Sequence, residues 1–198
     1  MLTELTIKKT FWLLIILACL ACFGCRQSQI YQTDQAAKHI SAARNALASY
    51  DKLETQVESA WTKANTIPPT ADAVAQVKAL LSGINPKIAR QTTLISTAVK
   101  ELDAAKKLKL PSDYYTYLKL LAEAAAKEQQ ASRLTTKTSD DTASMLKGLP
   151  AGAIMAQLTS SALTDVVRQT ETALRLSEEA RKLEAQAETF RQQKNLNL

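Results

Sequence analysis

The chain has 198 residues, a formal net charge of +6, and only four glycines and five prolines. That length supports one ordinary hydrophobic core, and a composition rich in Ala, Leu, Lys, Gln and Glu favours helix over sheet. With aromatics at 5 % of the chain, the core must be built mainly from Ala, Leu, Ile and Val.

Residues 1–24 have the three-part layout of an export leader. Met1–Lys9 ends in Lys8-Lys9, Phe11–Gly24 is uncharged and mostly apolar, and Cys25 opens a polar stretch. The apolar run falls short of the roughly 20 residues that a membrane-spanning helix needs, and matches a cleaved secretory segment. Loss of Lys8, Lys9 and Glu4 with the leader leaves a formal charge of +5. An exported chain has little access to nucleic acid, so the basic excess directs attention to anionic envelope surfaces. The basic residues are scattered among acidic ones, and Lys106, Lys107 and Lys109 form the tightest group.

All three cysteines, Cys19, Cys22 and Cys25, lie in or just after the leader. A disulfide-stapled domain would carry its cysteines inside the fold. Cys22-Phe23-Gly24-Cys25 has CxxC spacing, but Arg26 stands where haem attachment needs His, and no second pair completes a zinc site.

The leader with its cysteine resembles the signal peptides of bacterial lipoproteins, over the first 25 or so residues only. In that family an aliphatic residue and two small residues precede a cysteine that is diacylated and becomes the mature N-terminus. Gly24 before Cys25 fits this pattern, whereas Phe23 and Cys22 depart from it; Cys19, after Ile16-Leu17-Ala18, fits better locally. Cleavage before Cys25 keeps the whole apolar run in the leader and starts the mature chain on a polar sequence. Cys25 is therefore the expected lipidation site, ahead of Cys19 and Cys22. The resemblance implies a palmitate-type anchor in the bacterial cell envelope, facing the periplasm or the outer surface of the cytoplasmic membrane. Several acyl chains suffice for stable anchoring.

Residues 25–35 read as a polar tether and 36–198 as a single helical-bundle domain. In the first long segment Ala36, Ile40, Ala43, Leu47, Tyr50, Glu54, Val57, Trp61 and Ala64 alternate in steps of three and four, the 3.5-residue repeat of a coiled-coil-like seam. Pro68-Pro69 ends it, and Thr70 is the expected cap of the next helix. A second seam runs through Val74, Val77, Leu81, Ile84, Ile88, Gln91, Ile95, Ala98, Leu102 and Ala105. Its phase survives Ser82-Gly83-Ile84-Asn85-Pro86, so one kinked helix over about 71–109 is expected, with a tight turn at Asn85 as the alternative.

Pro111-Ser112-Asp113 closes that helix and opens a third, through Tyr114, Tyr117, Leu121, Ala124, Ala131 and Leu134. The Thr135–Thr142 stretch is poor in helix formers and lacks apolar anchors, which predicts fraying or a loop before a short helix to about Lys147. Gly148–Gly152 is a turn. The last seam comprises Ala162, Val166, Gln169, Ala173, Leu176, Ala180, Leu183, Ala187 and Phe190, alternating small with large from Ala173 onward. The expected fold is all-α: an elongated antiparallel bundle of about four long helices.

No constellation in the sequence points to catalysis, a cofactor or a metal. His39 is the single histidine; the Glu-x-x-His pairs of di-iron bundles, Gly-rich phosphate loops and GxSxG elbows are absent. Trp61, Tyr114 and Tyr117 are the candidate contacts for a ligand or partner. The leading expectation is a non-enzymatic, membrane-anchored scaffold or protein-interaction module, engaging an envelope protein or a second copy of itself. The alternative is a ligand-binding or sensing bundle with a pocket near the Tyr114–Tyr117 cluster.

Overall fold

The computed structural model describes the backbone of residues 2–68, 70, 72–149 and 160–198, and side chains from Ile30 onward except 65 and 160–163. The leader's side chains, its three cysteines, the Pro150–Gly152 part of the expected turn and seam residue Ala162 lie outside the described side chains. Four helices follow one another: α1 (Leu2–Asn65), α2 (Ala73–Lys106), α3 (Ser112–Lys147) and α4 (Ser160–Gln193). No strand occurs among the described residues, and the all-α bundle expected from composition is the observed class. A helix of about 34 residues is roughly 50 Å long, so the bundle is a rod.

The helices pack in chain order, α1 on α2, α2 on α3 and α3 on α4. Between α1 and α4 the backbones approach much less closely, and long side chains span the seam: Arg181 to Glu54 at 2.7 Å, and Arg44 to Glu188 at 3.3 Å. Every predicted α2 seam position from Val74 to Ala105 is buried, and so are those of α1 from Ala36 to Val57.

Three expectations change. Residues 30–35 belong to α1; no Gly or Pro lies between Arg26 and Ile67, so nothing ends the helix before the seam begins. Thr135–Thr142 is fully helical within α3. Its hydroxyls donate to their own helix or across the bundle: Thr135 to Ala131 O at 3.0 Å, Thr142 to Thr138 O at 2.7 Å, and Ser139 to Asn85 Oδ1 at 2.6 Å. Low intrinsic propensity is offset there by burial and polar pairing. The residue at the start of α2 is Asp72, which makes no side-chain cap bond; Thr70 instead accepts the Ala73 N–H through its carbonyl at 3.0 Å. α2 itself is unbroken, with Pro86 inside it, so the retained phase and not the Asn85–Pro86 turn signal decided that segment.

α4 ends with Asn195 in the left-handed region at φ 48°, and the Leu196 N–H donates back to Arg191 O at 3.0 Å. This helix-terminating turn favours Asn after Gly. It folds Leu196 into the core and brings Asn197 O to the Tyr114 hydroxyl, 3.5 Å away.

The core is divided. One apolar cluster centres on Ile40, Leu47, Ile95, Leu102 and Leu118; a second on Val57, Val77, Leu81, Ile84 and Leu146. Between them lies a layer of buried polar side chains that includes Glu54, Gln91, Glu128, Ser132 and Ser177.

Candidate functional site

The polar layer borders a cavity of about 440 Å³ in the α1–α4 seam, within the roughly 300–1,000 Å³ usual for small-molecule sites. α1 contributes Tyr50, Glu54, Glu58 and Trp61, α2 contributes Gln91, and α4 closes the far side with Ser177, Glu178 and Arg181. The space arises from the sequence of α4. Ala173 and Ser177 are too small to reach across a seam that α1 and α4 do not close with their backbones. Arg181 also lines a second cavity of about 370 Å³, with Asp51, Tyr117 and Glu184. The Arg181–Glu54 bridge thus stands between two openings of the same seam.

Hydrogen bonding at the first cavity is one-sided. Thr62, Thr135 and Thr170 donate to carbonyls of their own helices, at 2.9, 3.0 and 2.9 Å. Thr138 donates to Gln169 Oε1 at 3.2 Å, Ser177 to Glu128 Oε2 at 3.0 Å, and Tyr50 to Glu128 O at 3.5 Å. The wall hydroxyls have spent their hydrogens inside the protein. Gln91 is only 2 % exposed, yet its Oε1 has no hydrogen-bond partner. Leaving such an acceptor unmade costs about 1–3 kcal/mol.

Charge is also one-sided. Oxygens of Asp51, Glu54 and Glu128 lie within 4.8 Å of one another, with Glu58 and Glu184 nearby, and Arg181 is the cation that faces them. Burial first, and then the Glu54 charge, push the Glu128 carboxyl up to about 7. Burial and the Asp51 charge push Glu184 up to about 7 as well. Desolvation also raises Asp51, Glu58 and the Tyr50 phenol. The three carboxylates have the spacing to hold a cation. A divalent metal would have to displace Arg181 from Glu54 and Ser177 from Glu128, and would still lack the six to eight oxygens that calcium prefers.

The residues singled out from sequence do not converge. Trp61 lines the first cavity and Tyr117, 1 % exposed, lines the second. Tyr114 sits at the end of the bundle against Asn197, and Tyr115, pointing elsewhere, donates to Leu108 O at 2.6 Å. His39 is half-buried at the α1–α2 boundary, its Nδ1 2.7 Å from Glu101 Oε2. Of the three polar seam residues, Glu54 is paired with Arg181 and Gln169 donates to Asp141 Oδ2 at 3.1 Å, whereas Gln91 is the one left open. Glu128, Ser177 and Arg181 carried no signal in sequence, because each becomes part of the site only through a partner on another helix.

A second feature lies at the end where α1 enters the bundle. The Lys109 N–H donates to Gln32 Oε1 at 2.7 Å, which ties the α2–α3 connection to α1. Lys107 and Lys109 are exposed there, Lys106 reaches Asp103 at 3.6 Å, and Lys194 reaches Asp113 at 3.8 Å. Ile30 and Tyr31 are 55 % and 64 % exposed. Among the described residues no helix is long and apolar enough to cross a membrane.

No protein-family model, curated protein or solved structure matches the chain.

Proposed function

We propose that the chain is an envelope lipoprotein without catalytic chemistry, anchored through Cys25, whose helical rod serves as an interaction module at a membrane surface. One observation carries this reading. The end of the bundle that holds Gln32, seven residues after Cys25, also gathers Lys106, Lys107, Lys109 and Lys194 beside exposed Ile30 and Tyr31. Lysines near an anionic leaflet contribute about 1 kcal/mol each, and an aromatic residue with a polar tip suits the headgroup level. In this reading the Lys106–Lys109 group lies on the face that an anchored bundle would turn to the lipid.

The outer surface elsewhere carries helix-spaced ion pairs such as Arg175–Glu179 at 2.6 Å and Arg168–Asp165 at 2.8 Å, which suits a rod projecting into water. The non-catalytic part of the reading rests on the missing nucleophile, phosphate loop and metal-ligand motifs in the sequence.

The test is metabolic labelling of cells with an alkyne fatty acid, combined with in-cell crosslinking of the anchored protein. Label that vanishes in Cys25→Ala, together with one dominant crosslinked envelope protein, supports the proposal. Absence of label, or label that survives Cys25→Ala, rejects the assigned anchor. Label without any crosslinked protein rejects the interaction module.

A further inference from the structure

Two surfaces in the half of the bundle away from Lys109 complement each other in shape and charge. On α4, Val167 and Leu174 are 48 % and 43 % exposed, and the exposed Glu171 and Glu178 alternate with them. Steps of four, three and four put all four residues on one stripe, an apolar ridge with acidic interruptions beside the α1–α4 seam. Between α1 and α2 runs an open groove of about 920 Å³, with Ala60, Ile67, Leu80 and Gly83 in its lining. A Cβ added at Gly83 meets nothing within 4 Å, so the backbone of α2 lies open there. Lys63 and Lys87 are the charged residues of the groove, and no carboxylate lines it. Among the described residues neither these lysines nor Glu171 and Glu178 have an ion pair. The ridge from Val167 to Glu178 is about 17 Å long at 1.5 Å per residue, and the α2 wall of the groove from Gln76 to Lys87 has the same length.

The two surfaces also lie at one height along the rod. His39 to Glu101 and Gln32 to Lys109 align α1 with α2, and Arg181 to Glu54 aligns α1 with α4. On that common scale Val167 is level with Ile67, Glu171 with Lys63, and Leu174 with Ala60 and Leu80. Glu178 lies within about one helical turn of Lys87, a difference that the flexible four-carbon lysine stem spans.

From this we infer that the chain binds a second copy of itself, side by side and parallel, with the α4 ridge of one molecule seated in the α1–α2 groove of the next. Val167 and Leu174 cover the apolar lining, and Glu171 and Glu178 meet Lys63 and Lys87. Equal heights mean that both molecules keep the Gln32 end on the same side, as copies anchored in one membrane must. Each molecule then retains a free ridge or a free groove, so the contact repeats into a ring or a row along the surface. The inference names a second copy as a partner for the interaction module and rests on that reading for its setting only. Confinement of anchored copies to one surface raises their effective concentration, so a contact of modest affinity suffices.

Charge exchange between copies tests it. Full-length protein in detergent is examined by sedimentation over a range of concentrations, with melting temperatures recorded alongside. The parent is expected to self-associate as its concentration rises. Glu171→Lys with Glu178→Lys in one protein sets lysines against lysines and weakens association about a hundredfold. Lys63→Glu with Lys87→Glu in a second protein does the same from the groove side. Mixing the two restores association, since each ridge then meets a groove of opposite charge. Gly83→Gln fills the groove without lowering the melting temperature, and association falls there too. The Cys25→Ala form of the full chain behaves as the parent does, so loss of the anchor and loss of the contact are separate results. A parent that stays monomeric at every concentration overturns the inference. Charge-reversed proteins that associate as well as the parent overturn it, and so does a mixture that stays as weak as its components. Association indifferent to Gly83→Gln places the contact on another face and overturns it as well.

Discussion

Arg181 extends across the α1–α4 seam so that its Nη2 lies 2.7 Å from Glu54 Oε2 and 3.9 Å from Glu58 Oε1. Glu54 occupies a heptad position that its neighbours fill with Tyr50 and Val57, and its side chain is 10 % exposed. A carboxylate there is tolerated because a cation from the facing helix reaches it, and the same reach holds open a seam that apolar side chains would have closed.

Replacing Arg181 with Met leaves Glu54 buried beside Asp51 and Glu128 with no cation. The expected loss is about 2–3 kcal/mol, below the full value of a wholly buried pair because the guanidinium is half exposed. Urea unfolding measures it. Adding Glu54→Gln to Arg181→Met recovers part of the loss, and a double variant as unstable as the single one would place the contribution of Arg181 in packing instead.

Stability should fall as pH rises from about 4.5 to about 7. Glu128 and Glu184 hold their protons up to about 7 in the folded protein, whereas an unfolded glutamate releases its proton near 4.3. Between those values the native state binds more protons, so their favourable contribution is complete below the unfolded value and lost as pH passes through the folded one. For Glu128 alone the change is on the order of 3 kcal/mol. The groups facing it are Tyr50, Asp51 and Glu54 on α1 and Ser177 on α4. Melting temperatures recorded from pH 5 to 8 check this, with Glu128→Gln expected to flatten the dependence. A curve that rises with pH over this range would refute the assignment.

Gly83→Ala should stabilise the protein by about 0.5–1 kcal/mol. Gly83 lies inside α2, and an added Cβ meets nothing within 4 Å. The gain comes from the unfolded chain, which loses freedom that the helix never used. Thermal unfolding of the single variant suffices, and destabilisation would mean that this turn of α2 is less regular than an unbroken helix.

Ser139→Ala should cost about 1 kcal/mol, because Asn85 Oδ1 loses the hydroxyl that donates to it at 2.6 Å. That bond joins α2 beside Pro86 to the hydroxyl-rich part of α3. Amide hydrogen exchange should therefore quicken in both segments together, and a change confined to α3 would show that they are not coupled.

Much of the fold was legible in the chain. The 3-4 alternation of apolar residues identified the buried face of α2 from Val74 to Ala105 and that of α1 from Ala36 to Val57, and the prolines at 68 and 111 marked helix ends, because period and backbone chemistry are local properties. The Thr135–Thr142 stretch was misread for the complementary reason. Its helix is held by side-chain hydrogen bonds and by burial against α2 and α4, which propensity does not register. Asn85–Pro86 carries a local turn signal, yet the single helix expected from the retained phase is the one observed, because seam packing on both sides outweighs one missing N–H.

The site divides in the same way. Sequence alone identified Glu54, Gln91 and Gln169 as polar interruptions of apolar seams and Trp61 as an aromatic at a seam's edge. It could not say that Glu54 and Gln169 find partners while Gln91 does not, since partnership depends on which residues of other helices arrive at the same level. The pairing of Glu128 with Ser177, the arrival of Arg181 at Glu54 and the cavity between them join residues 49 to 127 positions apart. Periodicity determined which faces turned inward. Only the register of four helices against one another decided what those faces met, because a side chain's charge, pairing and room are set by neighbours that the chain order does not bring together.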